Sequence, residues 1–131
     1  MQPTFLDGTK MTQFKCIQVE KIDDVSVVKI IDERVMDPTR IELLGKELLS
    51  LSDGESTPVV VINFSSVTFF SSAAINKLIV LERRVKARGG KLMLTDLGSE
   101  IKDLLGFTHL DSLFRIHNDQ ATAMKELAGQ N

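Results

Sequence analysis

The pattern of hydrophobic and polar positions opens with two short runs, Phe14 to Glu20 and Val25 to Asp32. Both runs are rich in β-branched residues, which favour strands. The segment between them, Lys21-Ile22-Asp23-Asp24, has the polar composition of a turn, although no Asn-Gly or Asp-Gly pair defines the turn type. The pattern therefore predicts an antiparallel hairpin.

The next stretch has a helical period. Asp37-Pro38 is a favourable helix start, with an acidic N-cap and a proline at the first helical position. Apolar residues then recur every three or four positions and predict one buried face, while the charged residues between them are expected outside it. The apolar set is Ile41, Leu44, Leu48 and Leu51, and the charged set is Arg40, Glu42, Lys46 and Glu47. Asp53-Gly54 is expected to end this helix.

The middle of the chain reads as strand, helix and strand. The continuous apolar run Val59-Val60-Val61-Ile62 suits a central parallel strand that is covered on both faces. Gly89-Gly90 is expected to stop the following helix, and Lys91 to Thr95 form the next strand. The buried stripe of that helix is Ala74, Leu78, Leu81 and Val85. We therefore expect a βαβ unit.

Three further elements are predicted towards the end of the chain. Ser99 to Leu105 should form a short helix, and Phe114 to Ile116 an edge strand. Asn118 or Asp119 should cap a last helix. The inward residues of the short helix are Ile101, Leu104 and Leu105, and those of the last helix are Ala121, Met124 and Leu127. The expected fold is α/β, a single domain over residues 14–131 with a mixed sheet of four or five strands and about four helices, preceded by a flexible tail at residues 1–13.

Composition narrows the classes of function. The 131 residues carry 16 basic and 18 acidic side chains, a net charge of -2, and contain neither tryptophan nor tyrosine. This balance gives no reason to expect a nucleic-acid or membrane partner, and base-stacking platforms are hard to build from it. The single cysteine, Cys16, fits a reducing cytoplasm and is expected to be a buried thiol. His109 and His117 lack metal-ligand spacing, and His117 is expected in an exposed loop.

Two adjacent serines, Ser71 and Ser72, lie where the strand-like pattern gives way to the helical one. A serine there can cap the helix, and a phosphate there would meet free N–H groups and the positive end of the helix dipole. Capping and phosphorylation are compatible uses of the junction. No G-x-S-x-G motif supports a serine hydrolase, so no enzymatic activity is expected.

Three motifs carry a family likeness: Val67-Thr68-Phe69-Phe70, the stretch Ala87 to Leu92, and the run Leu104 to Phe114. In their order and spacing they resemble the STAS domain of bacterial anti-sigma factor antagonists. The first resembles the segment that leads to the family's Asp-Ser-Ser-Gly, the second its A-R-G-G-K-L turn, and the third the approach to its last strand. The likeness covers about residues 14–128.

The resemblance implies a protein-binding switch. Family members dock on a GHKL-type serine kinase that also acts as an anti-sigma factor, and phosphorylation of the first serine breaks the complex. That serine corresponds to Ser72. The implied docking surface comprises Ser71, Ser72, Ala73, Ala74, Asn76 and Lys77. The resemblance implies no catalysis, cofactor or metal, a cytoplasmic location and a monomer or weak dimer.

The chain departs from the family motif around this serine. Ser71 replaces the aspartate, Ala73 the second serine and Ala74 the glycine, and Asn63 stands where an aspartate often ends the preceding strand. The missing aspartate motivates one alternative, a constitutive scaffold that is not phosphorylated. A further alternative, of a different class, is a small-ligand-binding domain.

Overall fold

The computed structural model describes residues 14–53 and 57–129, so the predicted tail at residues 1–13 lies outside the described residues. The described part contains seven strands and four α-helices. The strands are β1 (Ile17–Ile22), β2 (Val25–Ile30), β3 (Arg34–Val35), β4 (Val59–Asn63), β5 (Phe69–Phe70), β6 (Lys91–Thr95) and β7 (Arg115–His117). The helices are α1 (Pro38–Asp53), α2 (Ser72–Ala87), α3 (Ser99–Phe107) and α4 (Gln120–Ala128).

A five-stranded mixed sheet in the order β1-β2-β4-β6-β7 lies at the centre of the molecule. The pair β1–β2 is the predicted antiparallel hairpin, and the other neighbours are parallel. The hairpin turns at Asp23 and Asp24, whose φ angles of 51° and 68° are both left-handed. This is the backbone of a type I′ turn, which matches the twist of the flanking strands.

Helices cover both faces of the sheet. Alternate residues of the central strands point to opposite sides, so Val60 and Ile62 join the main core with α1, α2 and α3. Val61 and Met93 face the other side, where they pack with Ala123 of α4. The predicted α/β fold with a mixed sheet is confirmed, and residues 14–53 and 57–129 contain five strands in that sheet and four α-helices.

Glu47 was predicted outside the buried face of α1, and that prediction is wrong. The residue is only 8% exposed, and its two carboxylate oxygens accept hydrogen bonds of 2.8 Å from the backbone N–H groups of Lys15 and Cys16. These donors replace the water that the charged group loses on burial. Glu47 thereby fastens the start of β1 to α1.

The last helix was predicted with the wrong buried residue. Asp119 is its N-cap and accepts a 2.8 Å hydrogen bond from the Thr122 N–H. From this start, Ala123 faces the sheet while Ala121 is exposed. Met124 and Leu127 pack at the edge of this contact and are half-buried, so part of the predicted face is confirmed.

The prediction of an exposed loop around His117 is also wrong. Strand β7 begins one residue later than expected and extends to His117, whose side chain is 17% exposed. His117 Nε2 lies 3.1 Å from a carboxylate oxygen of Glu126, and Arg115 Nη2 lies 3.2 Å from the other oxygen. Glu126 therefore ties α4 to the edge strand.

Candidate functional site

A small second sheet positions the serine junction. Strands β3 and β5 pair in parallel, two residues each, and were not predicted because so short a segment has no readable period. The Glu33 carbonyl accepts hydrogen bonds from the N–H groups of Thr68 (2.8 Å) and Phe69 (3.3 Å), and the Val35 carbonyl accepts one from the Ser71 N–H (3.0 Å). The segment before α2 is therefore held by β3.

Ser71 is the N-cap of α2. Its backbone is extended, with φ -72° and ψ 165°, and its hydroxyl oxygen accepts a 3.2 Å hydrogen bond from the Ala74 N–H. Its carbonyl accepts the first helical hydrogen bond, from Ile75, at 3.0 Å. The N–H, carbonyl and hydroxyl of Ser71 are thus all used to hold the junction together.

Ser72 is the first residue of α2, and its side chain is exposed. Among the described residues its hydroxyl has no hydrogen-bond partner, in contrast to that of Ser71. The amides of the first turn point outwards at this end of the helix, and the turn contains no acidic residue. A negatively charged group on Ser72 would therefore meet N–H donors and the positive end of the helix dipole.

Two exposed apolar side chains lie in the paired segments that lead into the start of α2. Met36, which follows β3, is 52% exposed, and Phe69, in β5, is 39% exposed. The Arg34 guanidinium stacks 5.1 Å from the centre of the Phe69 ring. Sequence reasoning missed Met36 and Phe69 as surface residues, because isolated hydrophobic residues in short segments are usually assigned to the core.

The predicted surface residues on α2 have different surroundings. Ala73 and Asn76 are exposed on the same side as Ser72. Ala74 is 0% exposed and lies in the main core, so its side chain is not part of the surface. The Lys77 ammonium lies 3.0 Å from a carboxylate oxygen of Glu42 on α1, and the side chain is 25% exposed. The contact of these residues with a partner stays a prediction.

Asn63 at the end of β4 has a structural role. Its Nδ2 donates a 2.9 Å hydrogen bond to the Gln120 side chain, and its Oδ1 accepts a 2.7 Å hydrogen bond from the Ser65 N–H. Beyond it, an open groove of about 330 Å³ lies between the loop after β4 and the start of α3. Neither Ser71 nor Ser72 lines this groove.

Within residues 14–53 and 57–129, no three histidine, cysteine, aspartate or glutamate side chains are grouped as a metal site. No helix in this part of the chain combines the length and the apolar character needed to cross a membrane.

The family model of the STAS domain matches residues 16–123, which is most of the 131-residue chain. The chain belongs to the STAS domain family. The match begins at Cys16, immediately before β1, and ends at Ala123 in α4, so it includes the whole central sheet. The family likeness inferred from the three sequence motifs is confirmed.

Solved structures share this fold. An anti-sigma factor antagonist domain protein from Planctomyces limnophilus has a TM-score of 0.79 and 23% identity, covering 86% of this chain and 97% of its own. RsbS from Moorella thermoacetica has a TM-score of 0.73 and 20% identity, covering 88% and 97%. SpoIIAA, a Bacillus cell fate determinant, matches in its phosphorylated form with a TM-score of 0.65 and 17% identity, covering 85% and 98%.

Proposed function

We propose that this STAS domain is an anti-sigma factor antagonist-like signalling module. It binds an anti-sigma factor that is also a GHKL-type serine kinase, and phosphorylation of Ser72 ends the complex. The observation that carries the proposal is the free, exposed hydroxyl of Ser72 at the first position of α2. The solved relatives support it, because one is described as an anti-sigma factor antagonist and another was solved in a phosphorylated form.

In the proposed switch, the charge of a phosphate on Ser72 controls binding of the partner through local electrostatic interactions. A phosphate adds close to two negative charges, and at Ser72 those charges lie beside outward-pointing amides and the positive end of the α2 dipole. The domain itself therefore tolerates the modification. A partner that covers Ser72 together with Met36 and Phe69 has to bury that charge against an apolar surface, which is unfavourable. The same modification thus leaves the fold intact and weakens the contact.

We propose no catalytic activity for the domain itself. In this mechanism the kinase partner binds ATP and transfers its γ-phosphoryl group to the Ser72 oxygen, releasing ADP and the hydroxyl proton. The domain contributes the acceptor, the rigid α2 start that Ser71 caps, and the docking surface around it. The proposed place of action is the cytoplasm, where the kinase finds its ATP.

The test compares three variants as bait in extracts of the native cells. Ser72→Ala should retain a protein with a GHKL-type ATP-binding domain and accept no phosphate, whereas Ser72→Asp should lose that protein. Ser99→Asp is the matched control, because Ser99 is also the exposed first residue of a helix, α3. It adds the same charge at an equivalent position and should leave binding unchanged. Equal retention of the kinase by Ser72→Ala and Ser72→Asp would contradict the switch.

A second candidate function is a scaffold that is not phosphorylated. It is favoured by Ser71, which caps α2 through a neutral hydroxyl where the family motif has an aspartate. Mass spectrometry of the protein from its native cells separates the candidates, since stoichiometric phosphate on Ser72 rules out the scaffold. Ser71→Asp restores the carboxylate and can still cap the helix. If a kinase needs that carboxylate, this variant should be phosphorylated where the natural chain is not.

A further inference from the structure

A second cavity lies at the opposite end of α2 from the serine junction. It has a volume of about 300 Å³, is partly open to solvent and is lined by the C-terminal half of α2, the start of β6 and residues 112–115. Its apolar walls are Val85, Leu92, Leu113 and Phe114. Glu82, ten residues along the helix from Ser72, is also in its wall, about 15 Å from the junction at 1.5 Å per residue.

Glu82 is a buried carboxylate with few hydrogen-bond donors to offset the cost of its burial. Its side chain is 8% exposed, and its polar partner among the described residues is Lys86, whose ammonium lies 3.4 Å away. The Lys86 side chain is itself 72% exposed. A carboxylate offers about four acceptor positions, and burial without donors is costly. At 3.4 Å this ion pair is long, and Lys86 is mostly exposed to solvent. Most acceptor positions of Glu82 therefore have no donor within the part of the chain that the structure describes.

Glu47, in the same molecule, is a buried carboxylate with a hydrogen bond to each of its two oxygens. As a whole residue it is 8% exposed, close to the 6% of Glu82, yet its two oxygens accept two backbone hydrogen bonds of 2.8 Å. These hydrogen bonds account for the burial of Glu47. Its side chain lines neither this cavity nor the groove beside α3. Glu82 differs in both respects, because it lacks such donors and faces a cavity.

The remaining polar groups of the cavity are already engaged or directed elsewhere. The Arg115 guanidinium pairs with Glu126 at 3.2 Å, and the Ser112 hydroxyl donates to the His109 carbonyl at 3.1 Å. Lys91 alternates with Leu92, which faces the main core, so its side chain leaves the sheet on the other side. Glu82 and Lys86 therefore determine which ligand the cavity accepts.

We propose that this cavity binds a small amphipathic amine. The ammonium group of the ligand binds the Glu82 carboxylate in place of Lys86, and its apolar body packs against Leu113 and Phe114. An ammonium brings up to three N–H donors and the opposite charge, which is the pairing a buried carboxylate favours most. Lys86 can give way because its exposed side chain can extend into water. An anionic ligand of the same shape would be repelled by Glu82.

Binding is tested with benzylamine, and with benzyl alcohol and benzoate as neutral and anionic analogues of the same shape. Titration of the isotope-labelled protein is followed by the amide signals of residues 82–92 and 112–115. Benzylamine should shift these signals in a saturable way at millimolar concentration and bind roughly tenfold more tightly than either analogue, because its hydrogen bonds are charge-assisted. Equal binding of the three probes, or shifts confined to other residues, would overturn the proposal.

Two variants separate a ligand-binding role of Glu82 from a structural one. Glu82→Gln keeps the shape and removes the charge, so benzylamine binding should weaken about tenfold, whereas Glu100→Gln, an exposed change of the same charge, should have no effect. Lys86→Ala removes the competing ammonium and should strengthen binding severalfold. If Glu82→Gln fails to fold, the Lys86→Ala result decides, since unchanged or weaker benzylamine binding there refutes the site.

Discussion

Ser71 and Ser72 are neighbours with the same side chain and different surroundings. The hydroxyl of Ser71 accepts a hydrogen bond from the Ala74 N–H, and that of Ser72 has no partner among the described residues. Capping and phosphate acceptance can therefore reside in separate residues. A modification of Ser72 leaves the cap of α2 in place, because the cap depends on Ser71 alone.

This separation predicts unequal effects of two alanine substitutions. Ser71→Ala should lower the free energy of unfolding by about 1 kcal/mol, because it removes the N-cap acceptor. Ser72→Ala removes no hydrogen bond seen in the structure and should change it by less than about 0.5 kcal/mol. Urea denaturation followed by circular dichroism measures both values. Ser71→Asp is the control, since aspartate caps equally well and should preserve stability. Equal losses in both alanine variants would contradict the assignment of the cap.

At the scale of single residues, the sequence predicted where the strand gives way to the helix, but not which of the two serines caps the helix. Two serines in succession are both acceptable caps, and only the backbone angle of Ser71 shows which one is used. Glu47 and His117 were misplaced for a related reason. A charged or polar side chain is assigned to the surface by default, and its burial depends on partners from distant segments, here Lys15 and Glu126.

At the scale of elements, the helices differ in how they begin. Serine caps α2, while the carboxylate of Asp119 caps α4 and accepts a 2.8 Å hydrogen bond from the Thr122 N–H. Hydrogen bonds from Thr122 hold the pKa of Asp119 below its usual value. Asp119 is therefore an acid-sensitive cap, whereas the hydroxyl of Ser71 does not titrate in the same range.

We therefore expect the start of α4 to loosen at low pH. Because the pKa of Asp119 is lower in the folded state, its stabilising effect is present above the unfolded pKa of about 4 and is lost as the pH falls through the folded pKa. Hydrogen exchange of the amides of residues 120–128, corrected for intrinsic rates, should show this loss of protection. In Asp119→Asn the cap persists without a titrating group, so the acid-dependent loss at the α4 start should shrink. The start of α2 is the internal control, and an equal loss there would contradict the prediction.

The longer elements could be predicted because each carries a full period of hydrophobic residues. The stripe Ala74, Leu78, Leu81 and Val85 is buried as expected, and the run 59–62 is the central parallel strand. The pair β3–β5 could not be predicted, since two residues carry no period and their pairing joins segments more than 30 residues apart. In α4 the burial of Ala123 over Ala121 depends on where the sheet lies.

At the scale of the whole molecule, Cys16 reports on the integrity of the fold. Its side chain is 2% exposed, at the start of the hairpin, and burial raises the pKa of its thiol, an effect that Arg40 partly opposes. The reactive thiolate is thus both scarce and shielded in the folded protein. The chain has one cysteine, so any labelling can be assigned to it.

We expect a disulfide reagent such as DTNB to label Cys16 only when the domain unfolds. At mildly alkaline pH, labelling measured across a urea series should increase over the same range in which the helical signal is lost. Complete labelling in high urea is the control for access to the thiol. Rapid labelling in the absence of urea would mean that the first strand opens on its own, in spite of its two hydrogen bonds to Glu47.

The strand order has a consequence for how the protein is made. In the central sheet, β1-β2-β4-β6-β7, the position of each strand follows its place in the chain. No strand has to enter between two partners that are already paired. As the chain leaves the ribosome, each new strand can therefore join the open edge left by the previous one. The edge that accepts the next strand moves steadily away from the first hairpin, and synthesis and assembly can run in the same direction.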